Sequence, residues 1–335
     1  MKLGMKLAEQ GLLPDFIVRY GIRNLLEERR VQIASSAEDE VISQLQSSKL
    51  AVATDEANNQ HYMVPTEFYS QVLGDYKKYS CCYYDESTKN LSSAEKKALD
   101  LVCERAELEN SQEILELGCG WGSFSLYAAK KYPNSKITAV SNSKTQKIYI
   151  DGLAKEQGIQ NLQIITEDIN NFSPANQFDR IVSIEMFEHV RNYEQLFGNI
   201  NKWLNDSGKI FIHVFCHKDK PYLFEEVDES DWMSKYFFTG GVMPSLTLFD
   251  RFKGELSLQS RWKVSGTHYQ KTAEDWLKNL YQKKSEVMPI LEENYPSGSA
   301  KVWFNRWRIF FLSCSELFGY KNGEEWLVGH YLYSK

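Results

Sequence analysis

Apolar and polar residues follow three successive patterns along the chain. From Gly4 to Arg30, apolar residues such as Phe16, Ile17, Tyr20, Leu25 and Leu26 recur at helical spacing, interrupted by Pro14. This predicts two short helices. The polar stretch 34–59 reads as one more helix followed by turn-like residues, before Tyr62-Met63-Val64-Pro65. Residues 1–60 are therefore expected to form a helical N-terminal extension.

The centre alternates short apolar runs with helical periodicity. Strands are expected at 113–117, 136–140, 162–166, 180–184 and 209–215, with helices at 123–132, 144–157 and 193–204 between them. Repeated βα units with short loops imply a mostly parallel sheet carrying helices on both faces. Beyond His217 the pattern changes: 218–260 is acidic and aromatic, with turn chemistry at Phe238-Thr239-Gly240-Gly241 and Pro244-Ser245. Helices follow at about 272–293 and 300–318. The chain thus divides into an extension (1–60), a nucleotide-binding core (61–217), and a substrate-cap insertion with the rest of the core (218–335).

Composition narrows the function. The 335 residues, 42% hydrophobic and 25% charged, describe an ordinary globular protein. A formal charge of −6 lacks the basic face that nucleic acid requires. No run approaches the ~20 apolar residues of a membrane span, and the start has no secretory pattern. The six cysteines (Cys81, Cys82, Cys103, Cys119, Cys216 and Cys314) have no metal-ligand spacing. Reduced thiols, a cytoplasmic location and no bound metal are the simplest expectation. Homodimerisation stays open.

The strongest local signal is Glu113-Ile-Leu-Glu116-Leu-Gly118-Cys-Gly120-Trp-Gly122-Ser, a strand running into G-x-G-x-G and a helix. Glycines there allow a tight turn and close approach of backbone to ligand at the carboxyl edge of the sheet. The third glycine comes one residue too early for a nicotinamide fingerprint. The pattern instead resembles that of S-adenosylmethionine (SAM) methyltransferases. Asn142 and Gln146 follow the second strand, although that strand lacks a terminal acid for the ribose. Asp168, with Ile169 beside it, follows the third, where it could accept from an adenine amino group or simply cap a turn.

Strand four ends in Ser183-Ile-Glu185-Met-Phe-Glu188-His189. If Glu185 opens a helix, Glu188 and His189 share its face. The three could attract a cationic amine and take its proton; acids in a first helical turn also complement the helix dipole. Pocket walls are expected from Tyr79-Ser80-Cys81-Cys82-Tyr83-Tyr84 and from His213, although a lone histidine on an apolar strand is more often a satisfied core histidine. Trp303, Trp307 and Phe310 form one helical stripe, either core or substrate wall, with Arg306 beside it.

With these residues in view, the chain resembles the cyclopropane fatty acid synthase superfamily, and within it the coclaurine N-methyltransferase branch. The matching segments include Leu13-Pro14-Asp15, Tyr79–Tyr83, Leu117–Gly122, Ile184–His189, Val214–Lys218, Tyr236–Gly241 and Phe318–Gly323. The resemblance implies a class I SAM-methyltransferase (Rossmann-like) fold, with a mostly parallel seven-stranded sheet and a C-terminal substrate cap. It implies SAM contacts at Tyr79, Ser80, Gly118, Gly120, Asn142, Gln146, Asp168 and Ile169, with S-adenosylhomocysteine as product. Glu188 and His189 would be base or orienting pair, with Glu185 near the amine. Tyr83, His213, Tyr269, Arg306, Trp307 and Phe310 would meet the substrate, a small-molecule amine. The lipid-modifying synthases hold a bicarbonate base with a Cys, Glu, His and Tyr that correspond here to Cys81, Glu188, His213 and Tyr269. Methyl or methylene transfer to an unsaturated acyl chain is therefore the alternative. Glu185 stands where those enzymes have glycine, and Arg306 where the alkaloid enzymes are aromatic, which would allow a substrate bearing an acid.

Overall fold

The computed structural model describes residues 2–52, 65–225 and 231–335. The boundary expected near residue 60, with Tyr62, Met63 and Val64, lies outside them. Five parallel strands form the centre of the sheet: β1 (Glu113–Leu117), β2 (Lys136–Ser141), β3 (Leu162–Thr166), β4 (Phe178–Ile184) and β5 (Leu204–His217). A two-stranded ribbon of β6 (Tyr222–Leu223) and β7 (Val242–Met243) follows. β8 (Ser257–Val264) and β9 (Trp326–Ser334) complete a seven-stranded sheet of order β3-β2-β1-β4-β5-β9-β8. β9 pairs antiparallel with both neighbours, so it alone runs against the other six strands of this sheet. The reversal of strand order between β1 and β4 opens a crevice at their carboxyl ends, where α/β sheets take their ligands.

The local reasons for these elements are plain. β1 is buried from Ile114 to Leu117, as a central strand covered on both faces must be. Helices α6 (Ser123–Lys131), α7 (Lys144–Glu156) and α8 (Tyr193–Trp203) connect the strands. α8 buries Tyr193, Leu196, Phe197, Ile200 and Trp203, one stripe at helical period. Asn192 starts it by accepting from the Gln195 N–H at 2.9 Å.

The N-terminal helices are α1 (Lys2–Glu9), α2 (Asp15–Ser35) and α3 (Glu38–Ser47). Pro14 immediately precedes α2, so it terminates no helix. α2 reaches 21 residues rather than the short helix expected. Its inward stripe is Val18, Ile22, Leu26 and Ile33, while Phe16 and Tyr20 are exposed. α4 (Thr66–Val72) and α5 (Leu91–Arg105) lead to β1; a reciprocal Asn90–Ser93 capping box starts α5.

Beyond β5, the short α9 (Trp232–Tyr236) precedes β7, and α10 (Gly266–Gln282), α11 (Lys284–Asn294) and α12 (Ala300–Gly319) lie between β8 and β9. The single helix expected at 272–293 is thus two, divided at Lys283. Arg19 of α2 bonds Glu274 of α10 and Glu316 of α12 at 2.7 and 2.9 Å, tying the N-terminal helices to the C-terminal ones. Among the described residues no helix is long and apolar enough to cross a membrane, and no cluster of His, Cys, Asp and Glu could hold a metal ion.

Candidate active site

The glycine motif makes the floor of a cleft at the carboxyl edge. Gly118, Gly120 and Gly122 all have positive φ, +80°, +51° and +78°, which L-residues adopt at a cost. A Cβ on Gly118 would lie 2.7 Å from Met186, whereas one on Gly120 would meet no protein atom within 4 Å. The backbone at Gly120 is thus bare towards the cleft. One cavity, lined by Lys78, Tyr79, Ser80, Glu116, Glu185 and Glu188 among others, adjoins a second lined by Asn142, Asp168 and Ile169. Gly118, Gly120, Gln146, Met186 and His189 border both. The eight residues expected at the cofactor therefore all border one continuous cleft.

Among the buried polar atoms there that have no partner among the described residues are Oε2 of Glu116 and Nε2 of Gln146. Such orphans fit a ligand carrying both a cation and hydrogen-bond acceptors. Gln146 is held by its own Oε1, which accepts from Ser141 Oγ at 2.6 Å. Asp168 uses Oδ1 to accept from the Asn170 backbone N–H and side-chain amide, both at 2.8 Å, so it shapes its turn as well as facing the cleft.

Gly120→Ala is expected to leave the fold intact but put a methyl where the ligand must lie. Its left-handed backbone costs about 1–2 kcal/mol. Titration calorimetry should show SAM affinity falling at least tenfold; equal affinity in a folded variant would remove the ligand from this glycine.

Burial pushes the Glu116 carboxyl up to about 8. At pH 6–7.5 the unliganded carboxyl is then protonated, and a cation bound beside it favours the ionised form. SAM binding should therefore release a proton, and affinity should rise with pH over that range. Calorimetry in buffers of different ionisation enthalpy counts the proton. Glu116→Gln should release about one fewer, and an unchanged count would rule out Glu116 as its source.

The reactive end is built from distant segments. β4 ends at Ile184, and Glu185 follows with φ +48°, so it is a left-handed junction rather than the start of a helix. Only Phe187–His189 forms a helical turn, of 3₁₀ type. The expected common helical face for Glu185, Glu188 and His189 is thus replaced by a kink. This kink turns the Glu185 carboxylate towards three other parts of the chain. Its Oε1 accepts from the Cys81 backbone N–H at 2.9 Å and lies 3.1 Å from His213 Nε2; its Oε2 accepts from the Tyr269 hydroxyl at 2.7 Å. Lys78, 1% exposed, donates to the Cys81 carbonyl at 2.7 Å.

Glu188 is also buried, and its Oε2 has no partner among the described residues. Burial pushes its carboxyl well above the usual range, and the neighbouring Glu185 charge adds to this. Burial raises Glu185 too, but Lys78, the Cys81 N–H and Tyr269 pull it back. Of the pair, Glu185 keeps the charge and Glu188 the proton, the separation that divides two carboxyls into different roles. His189 lies parallel to the Phe238 ring, 5.9 Å between centroids. Phe238, Tyr269, Trp276 and Phe310 complete an aromatic wall.

Other expected substrate residues lie elsewhere. Tyr83 stacks on His268 at 4.3 Å. Trp307, fully buried, packs against Phe68 and Phe237. Arg306 reaches Glu9 at 2.9 Å and the Tyr236 hydroxyl at 3.1 Å, instead of Glu185 or Glu188. Neither these three nor His213, which meets the site only through Glu185, borders the two cavities. With Glu9 on its guanidinium, Arg306 offers no free charge to a substrate acid, which corrects the expectation drawn from its sequence position. Lys78 and Trp276 were not foreseen. Lys78 could have been noticed as a cation directly preceding an aromatic, cysteine-rich segment, and Trp276 as lying two helical turns after Tyr269.

The fold and this cleft define a SAM-dependent methyltransferase of class I. Comparison with known proteins agrees: the family described as mycolic acid cyclopropane synthetase matches residues 51–325. (S)-Coclaurine N-methyltransferase of Thalictrum flavum subsp. glaucum is 36% identical over 342 residues, spanning 99% of this chain and 95% of that protein. The enzyme of the same description from Papaver somniferum is 35% identical over 337 residues, spanning 98% and 96%. A crystal structure of coclaurine N-methyltransferase bound to N-methylheliamine and SAH superposes with a TM-score of 0.92 at 36% identity, covering 98% of each chain. The chain belongs to the mycolic acid cyclopropane synthetase family.

Proposed function

We propose that the protein N-methylates a small-molecule amine, with Glu185 holding the substrate's positive charge and Glu188, after losing its own proton to solvent, accepting the amine's. The observation that carries this reading is the carboxylate pair at the cleft, one member held by donors and the other with an unpartnered oxygen. SAM supplies a methyl group on a sulfonium, open to in-line attack by a lone pair. Glu116, Gln146 and the bare backbone at Gly120 would hold it.

An alkylamine with a pKa near ~10 is protonated at neutral pH and has no lone pair to offer. The Glu185 anion attracts the ammonium into the cleft. Phe238, Tyr269 and Trp276 exclude water and present ring faces to a cation. Glu188, whose raised proton affinity suits it to take a proton from an amine once its own resting proton has left to solvent, is the general base. His189, its ring parallel to Phe238, lines the cleft beside the two carboxyls.

The lipid reading meets a specific obstacle. Cys81, His213 and Tyr269, which the resemblance assigns to bicarbonate, are turned onto the protein's own Glu185. A synthase-type external base would have to displace that carboxylate. The relatives' names and the N-methylheliamine in the solved relative favour an amine like coclaurine or heliamine. The six free, buried thiols support a reducing, cytoplasmic setting.

The test is labelled SAM incubated with heliamine, with a panel of other amines, and separately with vesicles of unsaturated phospholipid, products being identified by mass. One methyl gained on an amine supports the reading. Label entering only the acyl chains overturns it.

A further inference from the structure

We propose that Arg105 and His330 are positioning residues that lock His213 in the single tautomer able to donate a hydrogen bond to Glu185. The inference rests on the reading of Glu185 as the anion of the site. None of the sequence motifs contains either residue, and neither touches the cleft.

The argument is one of donors and acceptors. Arg105, the last residue of α5, places Nη1 2.7 Å from Nδ1 of His330 on β9. A guanidinium can only donate, so His330 Nδ1 must be the acceptor and carries no proton. The proton of a neutral His330 is then on Nε2, which lies 2.8 Å from His213 Nδ1 on β5. His213 Nδ1 therefore accepts, and its own proton is on Nε2, 3.1 Å from Glu185 Oε1. Every bond in the row points the same way, from Arg105 to the carboxylate.

The sheet makes this row possible. β5 and β9 pair antiparallel with His213 directly opposite His330, so both imidazoles stand on one face as cross-strand neighbours. The Arg105 guanidinium lies over the Trp262 ring of β8, 4.9 Å from its centroid, which holds it at the end of the row. The charged and titratable groups around the two rings are Lys78 beside the cleft, Arg105 on α5, His268 on α10 and Glu185. Burial and the two nearby cations disfavour a charged imidazole at either position. Both rings are thus neutral, as the tautomer argument requires.

The consequence falls on Glu185. Were His213 protonated on Nδ1, its Nε2 would be an acceptor, and Glu185 could satisfy it only by becoming protonated. The carboxyl would then be neutral and would no longer attract an ammonium ion. Arg105 therefore helps keep Glu185 ionised without touching it.

The test uses the full-length protein labelled with ¹⁵N-histidine. Long-range proton–nitrogen correlation distinguishes the protonated from the bare ring nitrogen, with His213 assigned by its loss in His213→Gln. His213 should carry its proton on Nε2 in the unmodified protein, without any substrate present. Arg105→Met should give a mixture of tautomers and lower kcat with heliamine by about ten- to a hundredfold, the worth of a hydrogen bond to a charged group, with SAM affinity unchanged. Arg105→Lys, which restores a donor-only cation, should recover the tautomer and part of kcat. A proton on Nδ1 of His213 in the unmodified protein overturns the proposal, and this needs no variant to fold. A folded Arg105→Met that keeps kcat also overturns it. If instead the reading of Glu185 is wrong, His213 still shows the expected tautomer while loss of the Glu185 carboxylate leaves turnover unchanged.

Discussion

Glu185→Gly should reduce turnover by roughly 10²-fold or more, and millimolar formate or bicarbonate should restore part of it. Three features make this the sharpest test of the site. The carboxylate is gripped by the Cys81 N–H, the Tyr269 hydroxyl and His213 Nε2, donors that remain when the side chain is removed. What remains is a cradle shaped for one small carboxylate beside the Lys78 cation. In addition, φ at this position is +48°, a conformation that glycine adopts without strain, so the variant should fold at least as readily. SAM affinity should change little, because the cofactor-facing glycines are untouched. A folded, SAM-binding variant that no small carboxylate rescues would show that the Glu185 charge is not what this cradle is for. A variant with full turnover would remove Glu185 from the mechanism altogether.

Glu188→Gln should lower kcat/KM at pH 7 by about 10²–10⁴-fold, the usual worth of a positioned base, and it should alter the shape of the pH profile. In the unmodified enzyme one proton must leave the carboxyl–ammonium pair before transfer. The rate therefore rises with pH only until Glu188, itself raised by burial and by Glu185, loses its proton. The amide cannot accept a proton, so the variant depends on free amine. Its kcat/KM should climb about tenfold per pH unit towards the amine's own pKa near ~10. The two curves should converge at high pH. A steady-state profile of both enzymes with heliamine decides it; parallel curves would mean that Glu188 is not the base.

The carboxyls of this site also link stability to pH. Glu116, Glu185 and Glu188 all have folded values above the ordinary carboxylate value. Between about pH 4.5 and 8 the folded protein holds protons that the unfolded chain has lost, so stability without ligand falls as pH rises through that window. A bound cation reverses the preference at the groups it faces, so ligand should stabilise most at the upper end.

Much of the cofactor half was legible in the sequence because it is local. A strand, a glycine turn and a helix within a dozen residues determine where the cleft lies, since turn sterics and hydrophobic period act between near neighbours. Asn142, Gln146 and Asp168 were legible for the same reason, each following a strand whose end had already been placed. The sequence also placed Glu185, Glu188 and His189 beside the cleft as a group. It could not show that Glu185 has a left-handed backbone, because no glycine marks the position, and a helical start looked equally consistent.

What only the tertiary structure decided concerns pairs far apart in the chain. Cys81, His213 and Tyr269 reach one carboxylate from positions 104, 28 and 84 residues away. Arg306 finds Glu9 across 297 residues. His213 meets His330 through the register of two antiparallel strands, and that pairing depends on how the C-terminal segment returns to the sheet. Composition and periodicity report which face of an element is buried, but not which buried polar group lies opposite. In this protein the fate of each charge depends on that opposite group: Glu185 meets three donors, the buried Oε2 of Glu188 none among the described residues, and Arg306 an acid that neutralises it. Burial makes such pairings energetically decisive, because an unpaired charge in the interior is costly while a paired one is held in place.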